Sequence, residues 1–240
     1  MSRHFWRAFS LGALSSLSML HAGSSAAEIV SATYVDPTDR YQHGVLGDAI
    51  EWAGIEIILA NGRALKITLP ETRVFEDIAP RLFDIDNDGD HEIIVVETLN
   101  TEGAQLAIYD ETGKIAATPH IGMRNRWLAP IGAADLDADG YIEVAYIDRP
   151  HLTKMLRVWR FKDGTLTEIS QQAGLTNHRI GETDIGGGIR HCENGPEIIT
   201  ATANWRHIVA TRILPTGQLE TREIGQHTGR PSLNAALNCN

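Results

Sequence analysis

Two nine-residue stretches carry the residue types and spacing that hold a hard cation. One runs Asp84-Ile85-Asp86-Asn87-Asp88-Gly89-Asp90-His91-Glu92, the other Asp135-Leu136-Asp137-Ala138-Asp139-Gly140-Tyr141-Ile142-Glu143. Each sets a carboxylate at its first, third and fifth positions, a glycine at the sixth and a glutamate at the ninth. Alternate carboxylates converge when such a loop curls, and the glycine permits the sharp turn. Oxygen donors so spaced suit Ca²⁺, which gathers about 6–8 oxygens. The competing reading is an acid-rich hairpin turn, but two copies of one pattern argue for a shared task.

The elements around these loops are strands. A helix–loop–helix calcium site needs a bidentate glutamate at its twelfth position, and here that position falls on Val95 and Tyr146. Apolar, largely β-branched runs follow each loop, Ile93-Ile94-Val95-Val96 and Val144-Ala145-Tyr146-Ile147, where a helix would have to begin.

Asp84 and Asp135 are 51 positions apart, as are Glu92 and Glu143. A period near 50 in a β-rich chain points to propeller blades of about four strands each. Glu197-Ile198-Ile199-Thr200 and Glu51-Trp52 align with the strand that follows each acidic loop. Second strands are expected over 55–59, 106–109, 156–161 and 208–213. Turns at Asn61-Gly62, Thr112-Gly113, Asp163-Gly164 and Thr216-Gly217 lead to third strands over 64–69, 114–117, 166–169 and 219–224. The expected fold is all-β, one propeller-like domain over 28–240, with repeats at about 28–78, 79–129, 130–182 and 183–230 and a tail over 231–240. Four units suit four blades. Strands from Glu28–Tyr34 and Ser232–Leu237 would raise the count to five. Trp52, Trp159 and Trp205 are expected in the blade core.

Residues 1–27 read as a secretory leader. Arg3 and Arg7 supply the positive region, Leu11 to Leu20 the apolar stretch, and Ser25-Ala26-Ala27 the small-residue cleavage site. A membrane anchor is the alternative, but this stretch is short and serine-rich for a bilayer span. The expected destination is a periplasm or the medium. Losing the leader takes the formal charge from −10 to −12, because both arginines go and no acid does. So acidic a chain is a poor partner for nucleic acid or anionic membranes. Cys192 and Cys239 are its two cysteines. An even pair in an oxidising compartment reads as a disulfide, with two free thiols as the alternative.

The loops and the strands after them resemble the FG-GAP/VCBS-type calcium repeats of integrin α-chain propellers and of many bacterial exported proteins. The best-matching stretch is Gly132-Ala133-Ala134 followed by the second acidic loop and Val144. The resemblance implies two Ca²⁺ sites: Asp84, Asp86, Asp88 and Glu92 with the Asp90 carbonyl, and Asp135, Asp137, Asp139 and Glu143 with the Tyr141 carbonyl. In the fourth repeat the same positions would fall on Ile189, His191 and Glu193, which are poor calcium donors. A Cys192–Cys239 bridge is expected to replace the ion there.

Arg40, Arg73, Arg126 and Arg179 precede successive repeats at similar distances. Gathered on one face, their guanidinium groups would bind an anion; the alternative is that each pairs with a blade carboxylate or stacks on a ring. No HExxH, GxSxG or phosphate-binding glycine loop is present. The expected function is that of an exported, non-enzymatic, calcium-stabilised propeller whose loop face binds a protein or glycan. The runner-up is a propeller-bodied polysaccharide lyase or hydrolase.

Overall fold

The structure is a computed structural model and describes Met1 and residues 28–239. The expected leader, apart from Met1, lies outside the described residues. The rest is almost wholly antiparallel β-structure. Strands β1 (Ile29–Thr38), β2 (Glu51–Leu59), β3 (Ala64–Thr68) and β4 (Arg73–Phe75) come first. They are followed by β5 (Arg81–Phe83), β6 (Glu92–Leu99), β7 (Gly103–Asp110) and β8 (Gly113–Ala117). A meander of β9 (Leu128–Ala134), β10 (Ile142–Asp148), β11 (Met155–Lys162) and β12 (Thr165–Ala173) is next. The last group is β13 (Leu175–Thr176), β14 (Gly188–Cys192), β15 (Gly195–Thr202), β16 (His207–Ile213) and β17 (Leu219–Gln226), closed by α1 (Arg230–Ala235).

These strands form three sheets, and one pairing scheme recurs in them. In the four-stranded sheet β9 pairs with β10, β10 with β11 and β11 with β12. In the eight-stranded sheet β6 pairs with both β4 and β5, so its first partner is a strand broken at residues 76–80. In the five-stranded sheet β15 pairs with both β13 and β14, and the break is longer, 177–187. The eight-stranded sheet also takes in β1, β2 and β3, joined through Trp52 on β2 opposite Phe75 on β4.

The central strands have no polar face. All seven residues of β10 are buried, as are seven of the eight in β6. Alternate side chains point to opposite faces of a strand, and here each face meets a different apolar layer. Ile94 and Val96 of β6 join Val144 and Tyr146 of β10 in one cluster. Ile93 and Val95 pack with Ile55, Ile57 and Phe75 in a second. Ala145 and Ile147 pack with Ile198 and Val209 in a third. The two halves of the eight-stranded sheet, and then the successive sheets, therefore stack face to face, which explains why these strands read as unbroken apolar runs. Each fully buried isoleucine, valine or leucine contributes roughly 1.5–3 kcal/mol.

Three local expectations are corrected. Glu51–Leu59 is one continuous strand, held along its length by β1, so the separate segments expected at 51–52 and 55–59 merge. Ser232–Leu237 adds no strand: Pro231 opens the short helix α1, and Leu233 and Leu237 cover the outer face of β15 and β16 at Ile199, Ile208 and Ala210. Trp205 lies in the β15–β16 turn rather than in the core. Among the described residues no helix is long and apolar enough to cross a membrane.

Candidate functional site

The two acidic loops occupy equivalent places, leaving the ends of β5 and β9 and entering β6 and β10. Their internal bonding is the same. Asp84 accepts from the backbone N–H groups of Asp88 (3.1 Å) and Gly89 (3.2 Å), and Asp135 from those of Asp139 (3.1 Å) and Gly140 (3.0 Å). Glu92 Oε2 accepts from Ile85 N–H and Glu143 Oε2 from Leu136 N–H, both at 2.8 Å. Asn87 and Ala138 take the left-handed backbone at φ 62, with Gly89 at φ 100 and Gly140 at φ 90. The expected glycine is thus needed, and one further residue in each loop shares its conformation. The loops also touch, through Asn87 Nδ2–H and the Gly140 carbonyl at 3.1 Å.

Carboxylate oxygens of Asp84, Asp86 and Glu92 lie within 4.8 Å of one another, as do those of Asp135, Asp137 and Glu143 and those of Asp88, Asp90 and Glu92. These all-oxygen groups fit a hard cation. The neutralising partners differ, however. In the second loop Arg160 of β11 reaches Asp137 Oδ2 (2.5 Å), Asp139 Oδ2 (2.8 Å) and Glu143 Oε1 (2.7 Å). In the first loop no lysine or arginine pairs with Asp84, Asp86, Asp88, Asp90 or Glu92 among the described residues. Burial and the adjacent aspartates push Glu92 up to about 7. Asp90 is pushed up to about 6, chiefly by its hydrogen bond with Asp88.

Residues 84–146 match the sequence profile of the FG-GAP-like repeat. This segment is similar to the FG-GAP-like repeat. It contains both acidic loops and the two strands they enter. No curated protein matches the chain. Among solved structures, a rhamnogalacturonan lyase, YesW, aligns at 15% identity and a TM-score of 0.39. The alignment covers 75% of this chain and 43% of that one, so the chain spans less than half of the lyase's length.

Outside the FG-GAP-like segment the acidic pattern is gone. β14 and β15 are joined by a tight turn in which Cys192 pairs with Gly195. Ile189 and His191 are strand residues and Glu193 a turn residue, so there is no loop to curl. Glu197 instead accepts from Arg190 (2.6 Å) and Arg222 (2.6 Å), with Arg212 at 3.7 Å. Cys192 and Cys239 are bonded, fastening the tail to the end of β14.

Three of the four repeat arginines are engaged by partners of their own. Arg40 donates to the Arg73 carbonyl at 2.9 Å and approaches Glu71 at 3.5 Å. Arg73 pairs with the buried Glu97, which Lys114 and Tyr109 also bind. Arg179 lies 4.2 Å over the Trp205 ring. Arg126 donates only to its neighbour's carbonyl, Asn125 O, and meets no carboxylate among the described residues.

Arg126 lines a cavity of about 290 Å³ at the opposite end of β9 from the acidic loops. A seven-residue strand separates the two by about 20 Å. The segment between β1 and β2 crosses this end and buries Tyr41 and Val45. It delivers His43, whose Nδ1 meets Oε1 of the fully buried Glu76 at 2.5 Å. Thr98 donates its hydroxyl to the other Glu76 oxygen at 2.6 Å. Burial raises Glu76, and the His43 contact opposes that rise. His151 stacks beside Trp127 and bonds through Nε2 to His178 Nδ1 at 2.9 Å.

Sequence reasoning missed this cluster because its members come from five separate loops. One signal was available. Glu76, Trp127 and His178 recur at the same 51-residue spacing as the acidic loops.

Proposed function

We propose that the chain is an exported, calcium-stabilised β-propeller of four blades, β1–β3, β4–β8, β9–β12 and β13–β17, which binds a glycan or protein through the face bearing the cavity. It acts as a binding module rather than an enzyme. The observation that carries this reading is the first acidic loop, whose five carboxylates gather with no lysine or arginine paired to them among the described residues. Calcium supplies the missing positive charge there, and binding only to the folded form stabilises it. The second loop is a further, weaker site, because Arg160 already neutralises three of its carboxylates. Asp84, Asp86, Asp88 and Glu92 with the Asp90 carbonyl would hold the first ion, and Asp135, Asp137, Asp139 and Glu143 with the Tyr141 carbonyl the second. Saturating Ca²⁺ at a hundred times its dissociation constant would add about 2.7 kcal/mol. The test is thermal unfolding with Ca²⁺ and with chelator, alongside metal analysis of the purified protein. A melting temperature that ignores both treatments ends the reading.

The Glu76–His43 pair favours a second reading, a polysaccharide lyase or hydrolase. A carboxylate-backed imidazole facing a cavity is the arrangement of a general base. Release of reducing ends or unsaturated sugars from a panel of exopolysaccharides would establish it.

A further inference from the structure

The cavity beside Arg126 has a defined hydrogen-bonding polarity. The Glu182 carbonyl can only accept, so the ring nitrogen that meets it, His178 Nε2 at 3.0 Å, carries the proton. Burial holds His178 below its ordinary value, so its ring is neutral and Nδ1 is left with a lone pair. His151 must then donate from Nε2 to that lone pair, and its own Nδ1 is an acceptor. Burial, with His178 next, pushes His151 down to about 4, so this ring is neutral as well. On the other side Glu76 holds His43 by Nδ1, leaving Nε2 without a partner among the described residues while His43 lines the cavity. Arg149 also lines it, but Asp148 grips its guanidinium at 2.8 and 3.0 Å. Arg126 alone of the two keeps its donors free of any carboxylate among the described residues. Leu152 and Ile180, 62% and 73% exposed, form an apolar rim.

We infer that this cavity receives a uronate residue of an acidic glycan, its carboxylate on Arg126, its hydroxyls on His43 and His151, and its C–H face on the Leu152–Ile180 rim. This rests on the loop-face binding reading and deepens it. A guanidinium fork matches a carboxylate with two parallel bonds. In a chain of net charge −10, an anion is drawn only where such a cation stands unpaired. The acceptor nitrogen of His151 and the free ring nitrogen of His43 suit hydroxyl groups, which both donate and accept. The cavity volume, at the low end of ligand sites, suits a compact ring rather than an extended acidic peptide.

The experiment is calorimetric titration of the calcium-loaded full chain with trigalacturonate, with its methyl ester and with a hexaglutamate peptide, repeated on Arg126→Ala and Arg126→Lys. The Arg126 side chain bonds only the adjacent carbonyl, so both variants fold as the parent does. Trigalacturonate should bind, its methyl ester about tenfold or more weaker, and Arg126→Ala should lose a similar factor that lysine restores in part. Equal affinity for acid and ester, or no loss in Arg126→Ala, overturns the carboxylate assignment but leaves a glycan-binding face. Hexaglutamate binding more tightly than the sugar overturns the uronate and retains a protein-binding face. Silence from all three probes overturns the inference; silence extending to every glycan and protein tried removes the binding reading as well.

Discussion

One glutamate recurs near the start of β2, β6, β10 and β15, and its charge is met differently each time. Glu197 is clamped by arginines, which lower its carboxyl against the opposing effect of burial. Glu143 has Arg160 and the loop aspartates. Glu92 has aspartates alone, and the proposed cation would be its partner. Glu51 pairs with no lysine or arginine among the described residues. Burial, with Glu76 next, pushes it up to about 9, so it is neutral at pH 7. The folded chain therefore keeps a proton that the unfolded chain gives up near the ordinary 4.5. From there upward the native state binds more protons, so Glu51 makes stability fall as pH rises toward 9. Glu51→Gln should flatten that decline, seen by urea unfolding across pH 5 to 9; an unchanged slope refutes the assignment. Arg160→Ala should have the opposite character. It leaves three carboxylates facing one another and costs roughly 2 kcal/mol without calcium, after discounting for partial exposure. Added Ca²⁺ should recover most of the loss, and the gain in melting temperature per calcium added should exceed that of the parent.

Between residue and molecule, the strands work by bringing loops to one place. Gly103 opens β7 at φ 75, and a Cβ there would stand 2.4 Å from the Met123 carbonyl oxygen and 2.7 Å from that of Arg126. Both are backbone atoms and cannot swing away. Gly103→Ala should destabilise by about 3 kcal/mol or more and should shift the segment carrying Asn125 and Arg126. Chemical denaturation measures the first effect, and loss of trigalacturonate affinity the second; a variant as stable as the parent contradicts the packing described. The legibility of these elements in the sequence depended on how local their cause is. The acidic loops and the strands after them were readable because every donor and every apolar position lies within about fifteen residues. The hairpin turns at Asn61-Gly62, Thr112-Gly113 and Asp163-Gly164 were readable for the same reason. The cavity was not, because His43, Glu76, Arg126, His151 and His178 meet only after the strands have packed. Helix α1 escaped notice because six residues give too little periodicity to see.

At the scale of the whole molecule, the sheets are held in sequence by apolar layers, and among the described residues no further sheet covers the last one. Leu233 and Leu237 do that work, supported by Arg190, whose guanidinium donates to the Ala236 carbonyl at 3.0 Å while also holding Glu197. The Cys192–Cys239 bond, 47 residues apart in sequence, ties this cover down. Opening such a loop costs about 4 kcal/mol on the chain-entropy account. The penalty should fall on the fourth group of strands first, because the tail packs on β15 and β16. Cys192→Ser should therefore expose Ile199, Ile208 and Ala210, seen as faster amide exchange on β15 and β16, while β6 and β10 keep their protection. Calcium should not rescue the variant, since its proposed ligands all lie on the two preceding sheets. A uniform loss of protection across all the sheets would instead mean that the fold is one cooperative unit and that the tail braces the whole of it.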